Sequence, residues 1–267
     1  MRILKPGVEP QGFFARVRAA ERRVLMLDYD GTLAPFRAER DQAVPYPGVC
    51  ERIAALMERG RTRVVLISGR VAREVAALAG LVPAPEVWGT HGWERLAPDG
   101  AYALAPLPAA AAAGLREAEA AVHARSHPGW AGRLERKPAS VAFHTRGLEP
   151  AERERSLREV RAGWEPLAAR QGLEVHPFDG GIELRVPGHS KGTAVRRLLE
   201  EAGPQAVCAY LGDDLTDEDA FLAIAQRGLG VLVREQPRET AAAWWLQPPA
   251  ELLDFFDQWL QASREDS

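Results

Sequence analysis

Short apolar runs, separated by longer segments of helical periodicity, dominate the first and last thirds of the chain. Arg22–Leu27 (RRVLML) stays largely apolar until it stops at Asp28, and similar runs recur at Arg63–Ile67, Ala206–Leu211 and Leu229–Val233. Apolar runs of this length without alternation are how parallel strands buried on both faces look. Between the first two, Val49, Ile53, Leu56 and Met57 fall on one stripe of a helix over Gly48–Arg59. Val195, Leu198, Leu199 and Ala202 mark another stripe over Lys191–Ala202. A third, over Glu251–Ala262, carries Leu252, Phe255, Phe256, Trp259 and Leu260. Strand and helix in alternation predict an open α/β sheet.

The middle of the chain differs. Leu104–Gly114 (LAPLPAAAAAG) is rich in proline and alanine and reads as a hinge running into a helix through Leu115, Ala118 and Val122. Strand-like pieces follow at Ala139–His144 and Ile182–Val186, around a charged helix at Ala151–Arg170. The pattern therefore predicts an α+β domain at 106–186, inserted into a core made of 1–105 and 187–267.

Composition narrows the partners. A chain of 267 residues buries roughly 70–75% of its unfolded surface and needs no staples. Its net charge of −3 argues against nucleic acid or an anionic membrane as the main partner, since both require basic patches. Cys50 and Cys208 lie far apart, have no metal-type spacing and read as small apolar residues in a reducing compartment. The N-terminal MRILKPGVEPQGFF lacks a signal-peptide run, and no apolar stretch approaches the ~20 residues of a membrane span. The expectation is a cytoplasmic monomer.

The candidate chemistry sits where the apolar runs end. Asp28-Tyr29-Asp30-Gly31-Thr32 follows the first, and in open parallel sheets ligands bind at the carboxyl ends of the strands. Two carboxylates two residues apart can divide labour, Asp28 attacking phosphorus and Asp30 donating a proton to the leaving oxygen. An Asp-Gly turn or N-cap is the plainer alternative. Ser68-Gly69-Arg70 ends the second run before a helix at Ala72–Ala79, so the Ser68 hydroxyl and the backbone amides around Gly69 form a candidate phosphate cradle. A serine N-cap is the competing reading. Arg70 is placed either to reach the substrate or to lie on the surface. Lys191 opens a helix, an electrostatically unfavourable position that an anion beside the Asp cluster would explain. Leu211–Asp219 carries five carboxylates in seven residues, a density that repulsion penalises unless a cation such as Mg²⁺ occupies it. His91, between two glycines, is a candidate for lining the cleft or for a structural turn. Trp93, Trp130, Trp244 and Trp245 read as packing residues.

In that order DYDGTL (Asp28–Leu33), SGR (Ser68–Arg70), the Lys191 segment and YLGDDLTDEDAF (Tyr210–Phe221) resemble the four motifs of the haloacid dehalogenase superfamily of phosphohydrolases. Further segments, GTHGWE (Gly89–Glu94), LERKPASVAFHTR (Leu134–Arg146) and GGIELRVPGHSKG (Gly180–Gly192), resemble the trehalose-6-phosphate phosphatases within it. The resemblance spans about Arg23 to Phe221. It implies a Rossmann-like parallel-sheet hydrolase core with an inserted α+β cap domain, acting on a small-molecule sugar phosphate. It also implies Asp28 as nucleophile, Asp30 as acid and base, and Ser68 and Lys191 on the phosphate. Mg²⁺ would be held by the Asp28 carboxylate, the Asp30 carbonyl and Asp213, with Asp214 or Asp217 behind. Glu135, Lys137 and Glu183 would read the sugar; without the resemblance they read as surface charge. The rivals are the same chemistry on sucrose phosphate, a mannosyl-phosphoglycerate or a mannose phosphate, a phosphomutase, and a non-catalytic sugar-phosphate sensor. A sensor has no need of the proton donor Asp30.

Overall fold

The structure, a computed structural model, describes residues 1–37, 40–58, 62–125, 127–130, 132–178 and 180–263. In chain order the first part holds β1 (Arg2–Ile3), α1 (Pro10–Ala19), β2 (Arg23–Leu27), α2 (Val49–Glu58), β3 (Thr62–Ile67), α3 (Ala72–Ala79), β4 (Glu86–Gly89), β5 (Glu94–Leu96) and β6 (Tyr102–Leu104). The middle holds α4 (Ala109–His123), β7 (Leu134–Lys137), β8 (Ser140–His144), α5 (Pro150–Gln171), β9 (Glu174–Phe178) and β10 (Gly181–Arg185). The last part holds α6 (Lys191–Ala202), β11 (Val207–Gly212), α7 (Glu218–Ile224), β12 (Gly228–Val233), β13 (Trp244–Leu246) and α8 (Ala250–Ala262). The chain divides into two compact units, Met1–Ala103 with Ser190–Ser267, and Leu104–His189.

The first unit is built on a sheet ordered β1-β13-β12-β11-β2-β3-β4-β5-β6. From β13 to β4 every neighbouring pair is parallel. The apolar runs make this possible, because alternate residues of one strand feed two separate cores. Leu25 and Leu27 of β2 face α1, α2 and α8 through Phe13, Ile53, Leu56, Phe255 and Trp259. Val24 and Met26 face α6 and α7 through Val195, Leu198, Phe221 and Ile224. A strand buried on both faces has no solvent side, so it shows no polar alternation. Asp28, Ser68, Thr90 and Asp213 stand just beyond the carboxyl ends of β2, β3, β4 and β11, neighbours in the sheet.

The second unit is an antiparallel sheet ordered β7-β8-β10-β9, with α4 and α5 packed on it. Val141, Phe143, Ile182 and Leu184 are buried, as are Leu115 and Val122 of α4 and Val160, Trp164 and Leu167 of α5. Because side chains alternate along a strand, the opposite face carries the polar residues. Glu135 and Glu183 both pair with Ala142, while Lys137 and Arg185 both pair with Ser140.

Several elements lacked a clear sequence signal. β9 holds Pro177 and is half exposed; it lies at a sheet edge, where proline is tolerated. β13 is a three-residue strand that buries Trp244. Trp93 and Trp130 are also buried, consistent with packing. Arg59, expected to end α2, lies outside the described residues. No helix among the described residues is long and apolar enough to cross a membrane.

Candidate active site

β2 delivers Asp28, whose backbone N–H still donates to the Leu211 carbonyl at 2.9 Å, so the two central strand ends are tied together. Asp28 is buried. Lys191 Nζ donates to Asp28 Oδ1 at 2.6 Å and to Asp217 Oδ1 at 2.7 Å. The helix that carries this lysine starts at a capping box, with the Ser190 hydroxyl and Thr193 bonded to each other's backbone amides. Its ammonium is buried rather than on the surface. Burial opposes the charge, but Asp217 and Asp28 outweigh it and raise the Lys191 pKa above that of a free lysine. The unfavourable position at a helix start is thus offset by two carboxylates of the chain itself.

The acidic loop after β11 is not a set of equivalent ligands. Asp214 Oδ1 accepts from the Leu215 backbone amide at 2.7 Å, capping a short 3₁₀ turn. Asp217 accepts from the amides of Asp213 and Asp214, from Lys191 and from the Tyr210 hydroxyl. Glu218 pairs with Arg238 and accepts from Thr240 Oγ1 and the Ala241 amide. Asp213 is the exception: its Oδ1 is buried with no hydrogen-bond partner among the described residues. Ligand atoms of Asp28, Asp213 and Asp217 lie within 4.8 Å of one another. Burial first, then the charges of Asp28, Asp217 and Asp214, push the Asp213 carboxyl well above the usual carboxylate range. Burial likewise raises Asp28, with Lys191 pulling against it and Asp217 adding to it.

Three close carboxylates facing one ammonium, with one buried oxygen unsatisfied, fit a divalent cation that prefers oxygen ligands. Gly31 makes their approach possible. Its φ of +82° favours glycine, and a Cβ there would lie 2.1 Å from Asp213 Oδ2. The glycine of the DxDGT segment is therefore required by the acidic loop as well as by the turn.

Asp30 faces another way. Its two oxygens accept from Arg70 Nε at 2.7 Å and Nη2 at 2.8 Å, a bidentate pair. Arg70 is buried and also reaches Glu74, so the surface reading of this arginine does not hold. Ser68 Oγ accepts from the Arg70 amide at 3.2 Å. It does not cap α3, whose N-cap is Val71. The first amide of α3, that of Ala72, donates instead to Glu94 Oε2 at 3.3 Å, which takes one of the helix-end donors expected for a cradle.

Glu94 closes the GTHGWE segment, but the sequence alone gives it no role, since it follows a tryptophan like any strand residue. It also accepts from the hydroxyls of Thr90 and Tyr102. These bonds fasten a loop in which Thr90 and His91 adopt φ of 46° and 56°, a conformation costly for residues with side chains. The loop returns the His91 amide to the Ser68 carbonyl at 3.0 Å. A Cβ on Gly69 would come within 2.7 Å of the His91 ring. His91 is therefore packed on the Ser68-Gly69 segment, and both neighbour the Asp cluster through β3 and β4.

In the second unit, the three candidate sugar-reading residues form one network. Lys137 Nζ donates to Glu183 Oε1 at 2.9 Å, and Glu135 Oε2 lies 3.7 Å away. Glu183 also accepts from Ser140 Oγ and Arg185 Nε, each at 2.7 Å. His144 Nε2 is 2.8 Å from Glu135 Oε2. Glu183 is only 2% exposed, so plain surface charge does not describe it. Ser140, His144 and Arg185 lie in segments that carry the resemblance, but the sequence reading gives them no role in the network. The signal was available in their alternate spacing along β8 and β10.

Comparison with known proteins shows the family. A Mycobacterium marinum trehalose-phosphate phosphatase is 35% identical over 247 residues, covering 88% of this chain and 60% of the relative. The chain thus spans about 60% of the length of the curated relatives it matches. Among solved structures, the C. albicans trehalose-6-phosphate phosphatase C-terminal domain superposes with a TM-score of 0.81 at 20% identity, covering 98% of this chain and 99% of that one. An Aspergillus fumigatus trehalose-6-phosphate phosphatase gives 0.67 at 26% identity, covering 97% and 99%. The sequence model of trehalose-phosphatase matches residues 26–249. That match takes in every catalytic candidate from Asp28 to Asp217, and the chain belongs to the trehalose-phosphatase family.

Proposed function

We propose that this chain hydrolyses trehalose 6-phosphate to trehalose and inorganic phosphate. The observation that carries the reading is the meeting of Asp28, Lys191, Asp213 and Asp217, from three separated segments, around one buried point. In the first step a carboxylate oxygen of Asp28 attacks phosphorus, and the bond from phosphorus to the sugar oxygen breaks. Asp30 gives its proton to that oxygen, and trehalose leaves an acyl-phosphate on Asp28. Asp30, now a base, takes a proton from water as the water attacks phosphorus. Phosphate leaves and the Asp28 carboxylate is restored.

Lys191 offsets negative charge on Asp28 and on the phosphoryl group, where a buried ammonium acts far more strongly than in water. Asp28, Asp213 and the Asp30 carbonyl would hold Mg²⁺, with Asp217 behind them. When bound, the ion supplies positive charge to the phosphoryl oxygens. Arg70 holds both oxygens of Asp30, so Asp30 must be released from this pair, or share it, to exchange a proton. The polar face of the second unit offers carboxylates, an ammonium and a guanidinium, the chemistry that a disaccharide's hydroxyls require for discrimination.

A panel of sugar phosphates, assayed for phosphate release with Mg²⁺ and with chelator, tests the reading. The expected result is a kcat/KM preference for trehalose 6-phosphate of roughly 10²-fold or more, lost on chelation. Equal rates on sucrose or mannose phosphates would leave the chemistry and remove the substrate. Binding without release would make the chain a sensor, and a phosphorylated product would make it a mutase.

A further inference from the structure

The segment between β12 and β13 takes no part in the chemistry described above, yet it grips the acidic loop at one place. Arg238 Nη2 donates to the Asp214 carbonyl at 2.7 Å and to the Asp213 carbonyl at 3.3 Å, and its Nε reaches the Asp213 carbonyl at 3.4 Å. Arg234 Nη1 reaches the same Asp213 carbonyl at 3.3 Å. The remaining Arg238 nitrogen, Nη1, pairs with Glu218 and donates to the Glu239 carbonyl at 2.9 Å. Glu218 in turn accepts from Thr240 Oγ1 at 2.8 Å and from the Ala241 amide at 2.7 Å. Four elements of sequence, Asp213-Asp214, Glu218, Arg234 and Arg238–Ala241, are thus locked into one local network.

The position of Asp213 explains why such a lock matters. β11 ends at Gly212, so the sheet ladder no longer fixes the next peptide. The Asp213 amide is held instead by Asp217 Oδ2 at 3.0 Å, and its carbonyl is held by the two arginines. Both peptide groups flanking the Asp213 Cα are therefore fixed by side chains, which sets the direction in which its carboxylate leaves the backbone. That carboxylate has a buried oxygen with no hydrogen-bond partner among the described residues, and it approaches Gly31 too closely to allow any Cβ there. An error in its direction would separate it from Asp28.

We infer that Arg238 is a positioning residue for the divalent-cation site, acting on Asp213 through its carbonyl rather than on the ion. The inference rests on the reading of Asp28, Asp213 and Asp217 as that site. Charge gives it a sharp sign. Removing a guanidinium near a cation site, and leaving Glu218 without it, makes the region more negative, so Coulomb attraction alone would tighten cation binding. A loss of affinity can arise only through geometry. Partners that orient ligands from behind are worth about 10–100-fold in metal affinity.

The test is Mg²⁺ titration by calorimetry of the full chain, for the wild type, Arg238→Gln and Arg238→Lys, with thermal unfolding in chelator as a check of folding. The expected result is a Kd raised about 10–100-fold in Arg238→Gln, with kcat recovered at saturating Mg²⁺. Arg238→Lys keeps the charge but lacks the planar fork that bridges two carbonyls. It should lose affinity too, and it serves as the test should Arg238→Gln fail to fold. Unchanged or tighter binding in a folded variant overturns the inference while leaving the cation site intact. Absence of Mg²⁺ binding by the wild type overturns the site itself, and with it the inference.

Discussion

The two polar clusters of this chain are satisfied in opposite ways. In the second unit, each charge of the Glu135, Lys137, Glu183 and Arg185 group meets an opposite charge or a hydroxyl within the same sheet. At the end of the parallel sheet, one ammonium faces three carboxylates, and a buried oxygen of Asp213 has no hydrogen-bond partner among the described residues. The first cluster is balanced in charge as folded: even Arg185 Nη2, which is buried without a hydrogen-bond partner among the described residues, lies 2.7 Å from Glu183 Oε2. The second is incomplete without a cation, and its raised Asp213 and Asp28 pKa values, caused mainly by burial, express the same deficit. A network that is closed suits the reading of neutral hydroxyls; one left open suits the binding of an ion and the attack on phosphorus.

The largest expected effect is on turnover. Asp28→Asn keeps the shape of the side chain and the Lys191 contact in part, but removes the nucleophile. Phosphate release should fall by at least ~10³, in the range of losing an essential catalytic group, while the fold persists. Rapid turnover by this variant would assign the attack to another residue and end the contrast between the clusters, because the open one would no longer be the reactive one.

Next in size is a change that should act with opposite signs on stability and on metal binding. Asp213→Asn removes a buried charge that faces Asp28 and Asp217 and gives the unpaired oxygen a neutral identity. A carboxyl whose pKa is raised by burial and by like charges destabilises the fold above its usual titration range, whether it stays ionised or takes up a proton, and an amide does not, so the metal-free variant should melt at a higher temperature than the metal-free wild type. Mg²⁺ at a hundredfold excess over its Kd should stabilise the wild type by about 2.7 kcal/mol and the variant hardly at all. Melting curves with and without Mg²⁺ decide the matter. A metal-free variant less stable than the wild type would mean that Asp213 is already satisfied and that the cluster is closed after all.

Much of this contrast was legible before folding, and the remainder was hidden for definable reasons. The unalternating runs before Asp28, Ser68 and Asp213 gave buried parallel strands because such strands have no wet face, and chemistry collects where they end. The division of labour within Leu211–Asp219 was not readable. Five carboxylates look alike in sequence, and only distant partners, Lys191 for Asp217 and Arg238 for Glu218, separate the ligand from the scaffold. Asp217, one of two residues expected behind the ion, is drawn into the cluster by Lys191, whereas Asp214 caps the adjoining turn. Glu94 was missed because its partners, Thr90, Ala72 and Tyr102, lie on three different elements. Nothing local to SGR shows that Asp30 lies opposite Arg70, so the sequence leaves this side chain between a substrate contact and the surface.

The smallest expected effect tests whether the closed cluster is a separate device. Glu183 accepts from Lys137, Ser140 and Arg185, and Glu183→Gln keeps its size while replacing one acceptor oxygen with a donor. Lys137 retains Glu135 at 3.7 Å, so the unit should stay folded, at a cost below the 3–5 kcal/mol of a buried pair broken outright. If this face reads the sugar, KM for trehalose 6-phosphate should rise about tenfold, the equivalent of about 1.4 kcal/mol and close to the worth of one charged hydrogen bond. Hydrolysis of p-nitrophenyl phosphate, which has no sugar hydroxyls, should keep its kcat/KM, and the Mg²⁺-induced rise in melting temperature should be unchanged. Equal losses on both substrates would mean that Glu183 serves the phosphate chemistry or the fold as a whole. The two clusters would then be one coupled system, and the opposition between closed and open would describe their charges without dividing their tasks.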